Sequence, residues 1–180
     1  RRMAAYLKCQ GWEPGSRVGI LSRNCAWWIM ADLAIWMSGH VTVPIYPSLK
    51  PDSVRLILDH SDARACFLGA VDERESCQEG VPAGVRRISF PTAPEKCETD
   101  WQEVVRAVEP LRENPTRDAA ELATIIYTSG TTGTPKGVMH SFGALAFNAK
   151  SLELRSGAAP HWRYLSYLPL AHIVERAGLE

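Results

Sequence analysis

Residues Thr124–His140 read T-I-I-Y-T-S-G-T-T-G-T-P-K-G-V-M-H, and the rest of the chain is organised around them. A β-type run, Thr124 to Tyr127, leads into hydroxyls and glycines: Thr128, Ser129, Gly130, Thr131, Thr132, Gly133 and Thr134. Pro135, Lys136 and Gly137 close the loop before a second short apolar run, Val138-Met139. This composition suits wrapping an anionic phosphate chain. Glycine lets backbone N–H groups turn inward and approach closely. The hydroxyls add neutral donors and Lys136 a mobile positive charge. By composition alone, a Ser/Thr/Gly-rich stretch reads as a solvated linker. Here β-branched residues pin both ends and a single lysine is the loop's lone charge, which favours a phosphate site.

The spacing also excludes one class of phosphate loop. A Walker A loop reads G-x-x-x-x-G-K-[ST], with its lysine opening a helix. Aligned on Lys136, Gly130 fits the first glycine, but Pro135 stands at the second and Gly137 at the Mg²⁺-binding hydroxyl. Pro135 has no N–H to donate and pushes Thr134 into an extended conformation. A P-loop phosphotransferase is a poor fit.

The run Tyr127-Thr-Ser-Gly-Thr-Thr-Gly-Thr-Pro-Lys-Gly-Val138 resembles the signature of the AMP-forming acyl-CoA synthetase superfamily. A second block, Tyr167-Leu-Pro-Leu-Ala-His-Ile-Val-Glu-Arg176, resembles the next motif of its fatty acyl-CoA synthetases, in the family's order and at a family-like separation. The segment from Arg1 to Leu68 is similar to the start of such enzymes, so the resemblance spans nearly the whole chain. It implies the N-terminal part of an AMP-binding domain over residues 1–180, with ATP, Mg²⁺ and CoA as cofactor and co-substrates and a fatty acid as the acid activated. By the same resemblance, Thr128, Ser129, Gly130, Thr131 and Thr132 contact the phosphates, and Gly130 and Gly133 give backbone access. Lys136 neutralises the β/γ end, Thr128 helps to hold Mg²⁺, and His172 lies beside the acyl carboxylate and adenylate. His172 and Lys136 are thus the expected catalytic pair. The bland reading of His172 is an imidazole satisfied by backbone at a strand end. Glu175 and Arg176 read as an ion pair on the first turn of a helix.

Upstream, helical and extended patterns alternate. Met3, Tyr6 and Leu7 lie at helical spacing within Arg1–Gln10, with Gly11 placed to stop the helix. Arg17–Leu21 (RVGIL) reads as a buried strand. Ser22, Arg23 and Asn24 offer caps for a helix over Cys25–Met37, apolar nearly all round and so expected in the interior. Its Trp27, Trp28 and Trp36 read as core packing, with an acyl tunnel lining as the alternative. Val41–Ile45 (VTVPI) is a second strand, Pro44 marking its end or a sheet edge. Pro51 opens a helix to about His60, and Ala65–Leu68 is a third strand. Such alternation is that of an α/β domain with a largely parallel sheet flanked by helices.

Gly69–Asp100 reads as a surface excursion with one strand over Arg86–Phe90. A short helix near Trp101–Val108 and a connector over Pro110–Ala120 follow. Beyond the loop, Phe142, Leu145, Ala146, Ala149 and Leu152 recur at helical spacing within Ser141–Arg155, which Gly157 ends. Tyr164–Leu168 reads as a strand, with His172 at its exit, where α/β folds assemble ligand sites.

Charged residues balance at 20 against 20, which excludes nucleic acid as a partner class. The five cysteines, Cys9, Cys25, Cys66, Cys77 and Cys97, form no C-x-x-C pair and point to a reduced, cytoplasmic setting. No apolar run reaches the roughly 18 residues of a spanning helix; peripheral membrane contact stays open. Two alternatives also remain: a fatty acyl-AMP ligase that loads a carrier protein, and a non-catalytic nucleotide-binding remnant. The family's later blocks are missing: the adenine-binding turn, the ribose-binding aspartate, the hinge, and the mobile C-terminal domain with its catalytic lysine. The 180-residue chain by itself is therefore expected to catalyse no ATP–pyrophosphate exchange with long-chain fatty acid, and robust exchange would overturn that expectation.

Overall fold

Alternating extended and helical segments joined by short connections bury apolar side chains best as a parallel sheet covered on both faces. A computed structural model describes residues 1–71, 77–128, 135–157, 163 and 165–179, with 177–179 described by backbone alone. Seven strands form one sheet: β1 Arg17–Leu21, β2 Val41–Ile45, β3 Ala63–Leu68, β4 Arg86–Ser89, β5 Thr99–Asp100, β6 Leu122–Thr128 and β7 Lys136–Ser141, in the order β5-β4-β3-β1-β2-β6-β7. Every neighbouring pair is parallel except β6 and β7. The helices are α1 Arg2–Lys8, α2 Ala26–Met37, α3 Pro51–His60, α4 Trp101–Ala107, α5 Phe142–Ser156 and α6 Ile173–Leu179. Among the described residues, no helix is long and apolar enough to cross a membrane.

Side chains alternate faces along each strand, so two cores form. Val18 and Ile20 of β1 and Ala65 and Phe67 of β3 join Trp28, Ala31 and Ile35 of α2 with Met3 and Leu7 of α1. Leu21, Val43, Ile45, Cys66 and Leu68 face the other way, onto Val54, Ile57 and Leu58 of α3. Gly80, ending a 3₁₀ turn over Cys77–Gly80, packs so closely on α3 that a Cβ there would lie 2.1 Å from the Pro51 carbonyl oxygen. Cys9, Cys25, Cys66 and Cys97 are free thiols, and burial pushes the Cys66 thiol far up, which keeps it neutral.

Several sequence expectations are corrected. The Gly69–Asp100 segment is no surface excursion: it adds β4 and β5 to the sheet and buries Val81, Ile88 and Phe90. Apolar contacts too far apart in sequence to form a periodic run drive this, since Phe90 stacks on Phe67 at 5.5 Å and meets Trp101 at 5.6 Å. Pro44 marks neither an end nor an edge. It sits inside β2 between β1 and β6, past the residue where β2 is registered to β6, Thr42↔Thr124. Helix α2 is one-sided, with Met30 and Leu33 exposed. Its N-cap is Cys25, without a side-chain cap, because Asn24 is engaged elsewhere. Leu165–Leu168 form no strand; Leu165 and Tyr167 are exposed, and no strand pairs with them. Tyr164 of that expected strand lies outside the described residues. α5 has the expected helical extent, capped by Ser141 and closed by Gly157 at φ 63°, yet buries none of its residues.

Two measurements check this account. Phe67→Ala empties a fully buried aromatic site and is expected to cost about 3–5 kcal/mol in urea unfolding. His40, buried before β2 with its ring 5.8 Å from that of Trp12, has its pKa held below 6.5 mainly by burial; the Leu7 backbone works against this and the Arg117 charge with it. The unfolded chain therefore binds a proton that the folded chain refuses. The stability this gives is present above pH 6.5 and lost as pH falls toward the lowered value, by at most about 1.4 kcal/mol per pH unit. His40→Phe should flatten that slope between pH 7.5 and 5.5, read as urea midpoints.

Candidate functional site

Because β2 and β6 run parallel, the chain leaves both at the same edge of the sheet. A cavity of about 570 Å³ opens there. Tyr46 and Ser53 wall it on the side of β2 and α3, Tyr127 and Thr128 at the end of β6, and Pro135 and His172 across the mouth. Among the described lining residues there is no carboxylate, so an anion entering meets no like charge.

The strand that delivers Thr128 is held firmly. Tyr127 lies opposite Gly137 and Thr128 opposite Lys136 in the β6–β7 hairpin. A Cβ on Gly137 would come within 2.8 Å of Ile125 Cγ2 and 3.2 Å of the Tyr127 ring, so only glycine lets that ring lie across the hairpin. From there the Tyr127 hydroxyl reaches His60 Nδ1 at 2.7 Å, and the two rings meet edge to face at 5.7 Å. Burial pushes the hydroxyls of Tyr127 and Tyr46 up, so both stay protonated donors at neutral pH. The expected phosphate contacts Ser129, Gly130, Thr131, Thr132 and Gly133, with Thr134, lie outside the described residues. Lys136 is exposed; it stands across from Thr128 but does not line the cavity.

His172 reaches the same cavity from the opposite direction. Its backbone N–H donates to the Pro169 carbonyl at 2.8 Å, and its own carbonyl accepts from Glu175 N–H at 3.2 Å, so it opens α6. Its Nδ1 accepts from the Val174 N–H at 3.2 Å, which makes it a cap and places the ring proton on Nε2. The backbone-satisfied reading therefore holds for this residue, and its side chain also lines the cavity. Asn24 holds the preceding segment: its side-chain amide donates to the Leu168 carbonyl at 2.7 Å, and its oxygen accepts from Leu170 N–H at 2.8 Å. Glu175 and Arg176, read from the sequence as an ion pair on the first turn, are both buried, and Arg176 is paired with Asp32 of α2, because α6 turns these side chains inward and Val174 outward.

The structure thus brings Thr128 and His172 onto one cavity and sets Lys136 beside Thr128 across the hairpin. Tyr46, Ser53 and Tyr127 were not legible as site residues, although Tyr46 directly follows a strand run and strand exits were the signal available. Among the described residues, no group of three His, Cys, Asp or Glu side chains could hold a metal. A Mg²⁺ usually takes one or two carboxylates besides its waters and phosphate oxygens; the described lining supplies none, and Thr128 offers a hydroxyl only.

Comparison with known proteins agrees with this geometry. The family model described as AMP-binding enzyme matches residues 1–179. The chain is 35% identical over 189 residues to the peroxisomal long chain acyl-CoA synthetase 6 of Arabidopsis thaliana, covering 98% of this chain and 27% of that protein. A long-chain-fatty-acid–CoA ligase of Archaeoglobus fulgidus superposes with a TM-score of 0.83 at 27% identity, over 99% of this chain and 35% of the other. The o-succinylbenzoate coenzyme A synthetase of Bacillus subtilis, solved with ATP and a magnesium ion, gives 0.79 at 26% identity, over 99% and 44%. This chain therefore spans little more than a quarter of the Arabidopsis protein's length. With the family model matched from residue 1 to residue 179 and the largely parallel sheet in place, the chain belongs to the AMP-binding enzyme family.

Proposed function

We propose that the chain supplies the phosphate-gripping and acid-facing walls for ATP-dependent activation of a long-chain fatty acid, first to the acyl-adenylate and then to acyl-CoA. The observation that carries this reading is the placement of Thr128 and His172 on one cavity at the ends of parallel strands, with no carboxylate among its described lining residues. Names of similar proteins support the substrate class.

In the first step a carboxylate oxygen attacks the α-phosphorus of ATP, an acyl–phosphate bond forms, and pyrophosphate leaves. Two anions must approach, so the site needs donors aimed at the developing charge and no competing acid. The loop from Ser129 to Gly133 surrounds the phosphates, and Lys136 places its ammonium at the β/γ end. The Nε2–H of His172 donates to the acyl carboxylate or the adenylate. Mg²⁺, held in part by the Thr128 hydroxyl, supplies charge neutralisation when bound. In the second step the CoA sulfur attacks the acyl carbonyl carbon and AMP departs. The free thiols support a reducing, cytoplasmic setting.

The test is ATP–pyrophosphate exchange driven by long-chain fatty acid in the complete polypeptide. Lys136→Ala and His172→Ala are each expected to lower exchange about a hundred-fold. Both side chains are exposed, so melting temperature should stay within a few degrees. Equal exchange in wild type and Lys136→Ala would remove the phosphate role.

A further inference from the structure

Helix α6 docks in an unusual way. It has seven residues, too few to persist on its own propensity. Its first turn leaves Val174 half exposed and buries Glu175 and Arg176 completely. Among the described side chains of the helix, the fully buried ones are both charged.

Arg176 enters a small buried polar ring built from four elements. One guanidinium nitrogen donates to Asp32 Oδ2 of α2 at 2.6 Å and the other to Thr124 Oγ1 of β6 at 2.9 Å. The Thr124 hydroxyl donates to the Thr42 carbonyl of β2 at 2.9 Å, and the Thr42 hydroxyl donates to Asp32 Oδ1 at 2.5 Å. The Trp28 and Trp36 rings cover the guanidinium at 5.6 and 5.3 Å. Arg176 and Asp32 are 0% and 1% exposed, so water does not screen the pair.

Such a pair is a poor source of stability, because desolvating both charges costs about what their attraction returns. Its particular property is direction: a planar guanidinium shared between one carboxylate and one hydroxyl accepts a single placement. Its position gives that placement a use. Arg176 lies four residues beyond His172, one helical turn away, and Thr124 lies four residues before Thr128 along β6. The ring therefore joins the bases of the two elements whose tips face each other across the cavity.

We propose that Asp32 and Arg176 are positioning residues: their buried ion pair, closed through Thr42 and Thr124, sets the separation of the His172 and Thr128 walls. For its kinetic readout this rests on the activation reaction proposed above. A misplacement of about 1 Å between reacting groups can cost up to a hundred-fold in rate, so a loosened ring lowers turnover while the phosphate loop still binds ATP.

The experiment uses the complete polypeptide and three proteins: wild type, the isosteric Asp32→Asn, and the double variant Asp32→Leu with Arg176→Met, which replaces the pair by apolar side chains. Exchange of ATP with pyrophosphate gives kcat and KM, hydrogen exchange reports on the amides of residues 173–176, and melting reports on stability. In Asp32→Asn, kcat should fall about ten-fold or more with KM for ATP within about three-fold, and those amides should exchange about ten-fold faster. The double variant should melt within about 3 °C of wild type yet keep the low kcat. Recovery of kcat together with melting temperature in the double variant would reduce the pair to a structural role and overturn the proposal. So would wild-type kcat and wild-type amide exchange in Asp32→Asn, which carries the test by itself if the double variant does not fold. Were wild type to show no pyrophosphate exchange, the activation reading would fall. The ring would then be judged on hydrogen exchange, where unchanged protection of α6 in Asp32→Asn counts against it and faster exchange for it.

Discussion

Strand β6 is where the demands on this fold meet. It pairs in parallel with β2 on one side and antiparallel with β7 on the other, so the sheet changes direction across it. The parallel side brings its C-terminal end out beside that of β2, where Tyr46 begins a loop. The antiparallel side folds the chain straight back, so Thr128 and Lys136 must face each other. Thr128 and Pro135 are thereby fixed at the lining of one cavity. Backbone pairing alone imposes this, since buried N–H and C=O groups need partners and a hairpin has few ways to supply them.

The two faces of the sheet meet burial differently. On the α3 side the inward row of Val43, Ile45, Cys66 and Leu68 is apolar. On the α2 side, β1 and β3 present Val18, Ile20 and Phe67, while β2 presents Thr42 to the buried Asp32 and β6 presents Thr124 to the buried Arg176. Trp36 adds a tie of its own, its indole N–H donating to the Ala123 carbonyl at 2.9 Å. Helix α2 thus serves as core on one half and as polar scaffold on the other. A sequence apolar nearly all round conceals that division, because a single Asp32 in a run of tryptophans and alanines carries no periodic signal.

The hairpin region was legible because its chemistry is local. Glycines, hydroxyls, Pro135 and Lys136 act through backbone freedom and reach within a few residues, and the same holds for Ser141 as a cap and Gly157 as a stop. His172 was legible only through the block around it, and its capping bond to Val174 is again a contact over two residues. The other walls were not. Tyr46 and Ser53 belong to the site because β2 happens to lie next to β6, and no spacing within the chain records which strands are neighbours.

From the amino-acid order alone came most of the elements and their alternation, since propensity, capping and turn chemistry act over a handful of positions. Strand order needed the assembled molecule. The Gly69–Asp100 segment joins the sheet because Phe90 finds Phe67 and Trp101, and the apolar repeat of α5 is only partly covered: Trp36 meets Phe142 at 5.2 Å, yet no residue of that helix is buried. Arg176 shows the division most sharply. Beside Glu175 it reads as half of a pair within one helical turn, yet its guanidinium is paired with Asp32, 144 residues away, since only the closed fold brings α6 onto α2 and excludes the water that would otherwise separate them.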